Sequence, residues 1–123
     1  LEIVKNKISL TDFRILIMGI TFKENCPDIR NTKVIDIYNY FKEIGIKVDV
    51  FDPCAHACDV QKELKITLQR DLKNSNYNAI IIAVSHDEFK SMKPDEIMQF
   101  GTEDVIVYDL KHIMPDEAGC LRL

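Results

Sequence analysis

The 123-residue chain contains no tryptophan, only four glycines and four prolines, and just four cysteines. So little Gly and Pro beside 46% hydrophobic residues excludes collagen-like, low-complexity and disordered chains, which cannot bury that much apolar surface. Cys26, Cys54, Cys58 and Cys120 are too scattered for a disulfide scaffold, and a chain this rich in aliphatic residues needs no covalent staples, so a reducing cytoplasm is the expected setting. Long hydrophobic runs are missing too. The longest, Ala79 to Val84, falls far short of the ~20 residues that span a bilayer, and Leu1 onward has no secretory apolar segment, so no membrane partner is expected. Positive charge is in the minority, 16 Lys plus Arg against 20 Asp plus Glu for a net charge of -4, which argues against a nucleic-acid partner. An anion held by this chain must meet a local cluster of cations.

What is present is a series of short aliphatic runs separated by helical patterns. At ~150 residues per domain the length allows one core, able to bury roughly two thirds of the unfolded surface. Arg14 to Phe22 (RILIMGITF) is apolar on both faces, as in a central parallel strand covered by helices on both sides. From Thr32 to Ile44 the residues Val34, Ile37, Tyr38, Phe41 and Ile44 recur at helical spacing, Asn31 or Thr32 can cap the start, and Gly45 stands at the C′ position. Lys47 to Phe51 is a second strand, stopped at Asp52-Pro53 because Pro53 cannot donate to a ladder. Asn78 to Ser85 and Glu103 to Leu110 read as further buried strands, separated by a helical stretch from Asp87 to Phe100 that Pro94 interrupts, and Lys65 to Leu68 is a candidate short edge strand. This alternation predicts an α/β fold, a three-layer Rossmann-like domain with a mainly parallel sheet whose ligands bind at the carboxyl ends of the strands.

The segment after the first strand carries the most chemistry. Gly19 stands alone, so no G-x-G-x-x-G is present and the loop cannot wrap a dinucleotide pyrophosphate with bare backbone. It offers cations instead. Lys23 leaves the strand's carboxyl end and Arg30 stands just before a helix N-terminus, a point charge and a bidentate fork that hold phosphate in complementary ways. The same two residues read equally well as solvated loop cations, with Arg30 paired to Asp28, and spacing alone does not separate the readings.

The pattern Gly19-x-x-Phe22-Lys23-x4-Asp28-x-Arg30-x-Thr32, then a helix ending at Gly45, then Val50-Phe51-Asp52-Pro53, resembles the C-terminal, sugar-nucleotide-binding domain of the UDP-glucose/GDP-mannose dehydrogenase family over roughly Phe13 to Met114. Within it the chain is most similar to bacterial UDP-N-acetylhexosamine dehydrogenases of polysaccharide and capsule biosynthesis, through Ile20 to Asn25, Ala83 to Phe89 and Val107 to Lys111. The resemblance implies an oxidoreductase that converts the C6 hydroxyl of a UDP-sugar to a carboxylate while reducing two NAD⁺ through a cysteine-bound intermediate. The NAD fingerprint and the catalytic cysteine would then lie in an N-terminal domain and a central helical region outside this chain, so no catalytic residue and no metal ligand is expected here. Residues 1–12 would extend from that preceding part and residues 13–123 would form the UDP-sugar-binding domain. A chain that starts at Leu1 is read accordingly as a piece of a longer protein. Phe22, Lys23, Glu24, Asn25 and Asp28 would contact the UDP-sugar, Arg30 would reach the NAD pyrophosphate, and Lys111 would stand where the family's Asp-x-Arg element has a nucleotide-binding arginine. The full-length protein would be a cytoplasmic homodimer.

Other chemistry-bearing residues read less favourably. Cys26 has only Lys23 nearby in sequence to activate it. Cys54-Ala55-His56-Ala57-Cys58 is the one metal-like cluster, but its C-x3-C spacing and missing second ligand pair argue against zinc. His86 ends a strand and is expected to cap the following turn, while Asp52 and Asp109 are strand-end acids suited either to a ribose or to a turn. A receiver-like signalling domain or a structural α/β interaction module without a nucleotide ligand is the alternative function. The receiver needs an acidic pair after the first strand, where Phe22-Lys23 stand instead.

Overall fold

The structure is a computed structural model that describes residues 12–72 and 75–115. Four strands, β1 (Arg14–Met18), β2 (Lys47–Phe51), β3 (Tyr77–Ile82) and β4 (Gly101–Asp109), form one sheet in the order β2-β1-β3-β4. Every pairing is parallel, with Leu16 opposite Asp49 on one side and Ile80 on the other. Alternate side chains of β1 explain the need for two covering layers. Ile15 and Ile17 join one buried cluster with Val48, Val50, Ala79 and Ile81, whereas Leu16 and Met18 join another with Ile80, Ile82 and Val107. Helices α1 (Val34–Glu43) and α2 (Ala57–Leu64) cover the first face through Val34 and Val60. The short helices α3 (Asp87–Lys90) and α4 (Pro94–Met98) cover the second through Phe89 and Ile97. The expected three-layer arrangement forms, and the sheet expected to be mainly parallel is parallel in every pairing among the described residues.

Differences lie at element ends. The strand expected from Arg14 to Phe22 stops at Met18 because Gly19 takes φ +101 and the next two N–H groups turn toward a side chain rather than a neighbouring strand. Likewise β3 stops at Ile82 instead of Ser85, since the N–H groups of Ala83 and Val84 both converge on the Met18 carbonyl. Lys65 to Leu68 is not a strand; Gln69 donates to the Val50 carbonyl only after the segment has passed. Pro94 initiates α4 rather than merely interrupting a helix, and the Glu96 carboxylate accepts from the Lys93 N–H at 3.1 Å. Helix α2 was not anticipated, because its sequence carries a single buried side chain, Val60. Thr32 does serve the start of α1, its hydroxyl oxygen accepting from the Val34 N–H at 3.3 Å, and Gly45 follows the helix at φ +91. Phe13 is buried and Asp12 exposed, while residues 1–11, residues 73–74 and residues 116–123, hence Cys120, lie outside the described residues. No helix among the described residues is long and apolar enough to cross a membrane.

Gly19 is where β1 is turned toward the functional end of the sheet. A Cβ there would sit 2.6 Å from the Val84 Cβ and 3.0 Å from the Val84 nitrogen, in a backbone conformation that L residues avoid. Gly19→Ala is therefore expected to lower stability by about 2–4 kcal/mol, combining left-handed strain with overpacking. Chemical denaturation of both proteins checks it, and equal midpoints would contradict the account.

Candidate functional site

The chain runs from β1 outward to β2, then returns across β1 to build β3 and β4 on its other side. The carboxyl ends of β1 and β3 are therefore a topological switch point, where the connecting loops diverge and leave a crevice. A cleft of about 310 Å³ opens there. Phe22, Lys23 and Glu24 enter it from the β1–α1 loop, Lys33, Val34 and Ile37 from the start of α1, Ala83 and Val84 from the end of β3, and Leu110 and Lys111 from beyond β4. Ala83, Val84 and Val34 are buried and make an apolar floor, whereas Lys23, Lys33 and Lys111 are exposed and bring three ammonium groups to its rim. Phe22, 56% exposed, offers an uncovered aromatic ring beside them. Such a cleft accepts a molecule with one flat apolar end and one anionic end.

Beneath the cleft lies a buried polar hub. The Asp52 carboxylate, at the end of β2, accepts five hydrogen bonds: from the Ile20, Thr21, Cys54 and Ala55 N–H groups at 2.7, 3.3, 2.8 and 3.0 Å, and from His86 Nε2 at 3.0 Å. Both side chains are fully buried. Burial pushes the Asp52 carboxyl up, but the hydrogen bonds from His86, Ile20 and Cys54 outweigh it and hold the group below the ordinary aspartate range. His86 does not cap α3 with its ring, as the turn-capping expectation had it. Its Nδ1 instead accepts from the Asn25 N–H at 2.9 Å. Asp109 is also a turn acid, its two oxygens accepting from the Ile113 and Met114 N–H groups.

The structure brings together Phe22, Lys23, Glu24 and Lys111 and separates them from the other expected residues. Asn25, at φ 58, is spent on the fold, its Oδ1 accepting from the Asp87 N–H at 2.8 Å. Asp28 and Arg30 line a different groove with Asp59 and Glu63. There Arg30 donates through Nε and Nη2 to the two Asp28 oxygens, each at 3.0 Å, while its own N–H donates to Asp28 Oδ1 at 2.9 Å. The arginine's hydrogen bond, with its charge, lowers the Asp28 pKa to about 2. Arg30 is 85% exposed, so water screens this pair and an incoming anion can compete for the guanidinium. Lys33 was not singled out from the sequence; its position just ahead of α1, at the same strand ends as Lys23, is the signal that marks it.

Metal and cofactor chemistry fit the residues poorly. Asp52, Cys54 and His86 hold donor atoms within 4.8 Å of one another, yet both His86 nitrogens and both Asp52 oxygens already have protein partners. His56 and Cys58, from the metal-like sequence cluster, are exposed at the start of α2. The Cys54 thiol is pushed up by burial and by the neighbouring charges of Asp52, Glu88 and Asp87, the opposite of what a nucleophile needs. Gly19 is packed closely against Val84 and has no second glycine after it, so the β1–α1 turn lacks the bare backbone of a dinucleotide loop.

Because the folded-state pKa of Asp52 is depressed, its stabilisation is present above the unfolded aspartate range near pH 4 and is lost as pH falls through the folded value. Asp52→Asn should cost about 3–5 kcal/mol at pH 7, since it turns an acceptor toward five donors into a group with its own N–H₂. Urea unfolding at pH 7 and pH 3 should show the gap to wild type narrowing in acid. A gap that stays constant would overturn the assignment.

Residues 16–116 match the model of the UDP-glucose/GDP-mannose dehydrogenase family, UDP binding domain. Over 120 residues the chain is 43% identical to UDP-N-acetyl-D-glucosamine 6-dehydrogenase of Salmonella typhi and 44% identical to that of Pseudomonas aeruginosa, each alignment taking in 98% of this chain. The chain spans about 28% of the length of those relatives. A solved UDP-D-ManNAc dehydrogenase of Pyrococcus horikoshii shares the fold with a TM-score of 0.75 and 21% identity, over 98% of this chain and 27% of that one. The family match begins inside β1 and runs past β4, across every segment that lines the cleft, and the chain therefore belongs to the UDP-glucose/GDP-mannose dehydrogenase family as its UDP binding domain.

Proposed function

We propose that this chain holds the nucleotide end of the substrate in an NAD-dependent UDP-sugar 6-dehydrogenase that oxidises a UDP-N-acetylhexosamine to its uronic acid for polysaccharide biosynthesis. One observation carries the reading: an apolar floor rimmed by Lys23, Lys33 and Lys111 at the switch point of a chain 43% identical to a UDP-N-acetyl-D-glucosamine 6-dehydrogenase. The three ammonium groups suit a diphosphate, and Phe22 with the floor of Val34 and Val84 suits a flat base. Lys111 supplies a point charge where an arginine would have supplied a fork, so its contact is with one oxygen at a time.

Asn25 and Asp28 take part in this reading only indirectly, by shaping the loop that presents Phe22, Lys23 and Glu24. Arg30, on the other side of that loop, contributes to NAD, exchanging Asp28 for the pyrophosphate of a cofactor bound mainly by an N-terminal domain. Residues 1–12 would lead from that domain and a central helical region, and the whole protein would be a cytoplasmic homodimer. Within it this chain binds and orients the UDP-sugar. The redox chemistry, transfer of the C6 hydrogens to NAD⁺ on an enzyme cysteine, belongs to the parts outside it.

Titration of the chain with UDP tests the reading. Lys23→Ala and Lys111→Ala should each weaken binding about 10- to 100-fold, the cost of a lost charge-assisted phosphate contact, whereas Arg30→Ala should leave UDP affinity unchanged. Unchanged affinity in both lysine variants would refute the site. With UDP-N-acetylglucosamine and NAD⁺ the chain alone should form no NADH, and formation above a protein-free control would show a nucleophile in this part after all.

A further inference from the structure

Resting on the reading of the cleft as a nucleotide-sugar site, we infer that His86 is its positioning residue, holding Lys23 in place through the two nitrogens of a buried imidazole. Nothing in the proposed binding chemistry uses His86, yet it is fully buried at the ligand end of the sheet, with its ring packed against Phe89 at 5.3 Å between centroids. A buried histidine must satisfy both nitrogens, and the partners here are specific. Nδ1 accepts from the Asn25 N–H at 2.9 Å, which assigns the ring proton to Nε2. Nε2 in turn lies 3.0 Å from Asp52 Oδ2 and 3.3 Å from Thr21 Oγ1.

These contacts bracket Lys23. Two residues before it, Thr21 is fastened by its N–H to Asp52, and the Thr21 hydroxyl donates to the Lys23 carbonyl at 2.9 Å. Two residues after it, Asn25 is fastened by its N–H to the ring and by Oδ1 to the Asp87 N–H, the residue that follows His86. A further tie, from the Phe22 N–H to the Asp28 carbonyl at 2.7 Å, closes the loop behind them. The backbone of Lys23 is thereby set from both sides, while its side chain is left exposed at the cleft. A loop ordered before the ligand arrives spares the ligand that cost, so the imidazole acts on affinity through Lys23 without touching the nucleotide.

The experiment measures UDP affinity and Asn25 amide exchange in wild type, His86→Phe and His86→Gln, each with and without Lys23→Ala. Phe fills the space of the ring with neither nitrogen, whereas the Gln amide supplies one acceptor and one donor. His86→Phe should weaken UDP about tenfold and speed exchange at Asn25 about tenfold, the worth of one lost hydrogen bond. Added to Lys23→Ala it should cost nothing further, and His86→Gln should recover most of both losses. Losses that multiply in the double variant, wild-type affinity in His86→Phe, or unchanged exchange at Asn25 would each overturn the inference. Nitrogen NMR of the wild-type imidazole checks it without any variant, because a ring proton found on Nδ1 rules out the bond from Asn25. Should wild type bind no UDP, the functional reading falls, and the positioning of the loop is decided by Asn25 exchange and the ring proton alone.

Discussion

One carboxylate ties the ligand end of this sheet together. Asp52 belongs to β2, yet its oxygens collect the N–H groups that follow β1, those of its own turn after Pro53, and the ring that follows β3. In the interior such a charge is tolerated only when donors surround it, and here five do. The arrangement depends on the strand order. Only with β1 between β2 and β3 do three strand ends come within hydrogen-bond reach of one side chain. Gly19 contributes by turning the chain immediately before Ile20 and Thr21, whose N–H groups are thus freed from the ladder and aimed at the carboxylate.

A consequence of this hub is the sign of charge at the surface above it. The negative charge of Asp52 is consumed internally, and among the exposed charged residues that line the cleft Lys23, Lys33 and Lys111 outnumber the single carboxylate of Glu24. Arg30 illustrates the opposite regime. Its pair with Asp28 lies in water, where screening makes it weak and exchangeable, whereas the contacts of Asp52 are dry and fixed. The two carboxyl groups both lie below their usual range, one through an exposed guanidinium and the other through buried donors, and only the second organises the fold.

How much of this was legible in the chain can be judged from particular residues. Lys47 to Phe51 is β2 as read, because Gly45 and Pro53 bracket it, and the two-sided apolarity of Arg14 to Met18 announces a covered parallel strand. The same apolarity misleads beyond Met18, where Ile20 and Thr21 stay buried while their backbone leaves the sheet. Helix α2 escaped because eight residues with one buried side chain carry little periodic signal. At the site, Phe22, Lys23, Glu24 and Lys111 line one cleft, and the Arg30–Asp28 pair is one of the two readings that spacing left open, whereas nothing in the sequence told that Asn25 serves α3.

The sequence by itself determined the four segments that carry the strands of the sheet, though not their ends or the absence of a strand at Lys65 to Leu68, that the sheet needs helices on both faces, and which loop carries the cations, since these follow from local periodicity and the backbone limits of Gly and Pro. Only the tertiary structure decided what Asp52, His86 and Asn25 do. Apart from the Cys54 and Ala55 N–H groups in Asp52's own turn, their partners stand 31 to 65 residues away along the chain, and such a hydrogen bond exists only once strand order and register have brought donor and acceptor within about 3 Å.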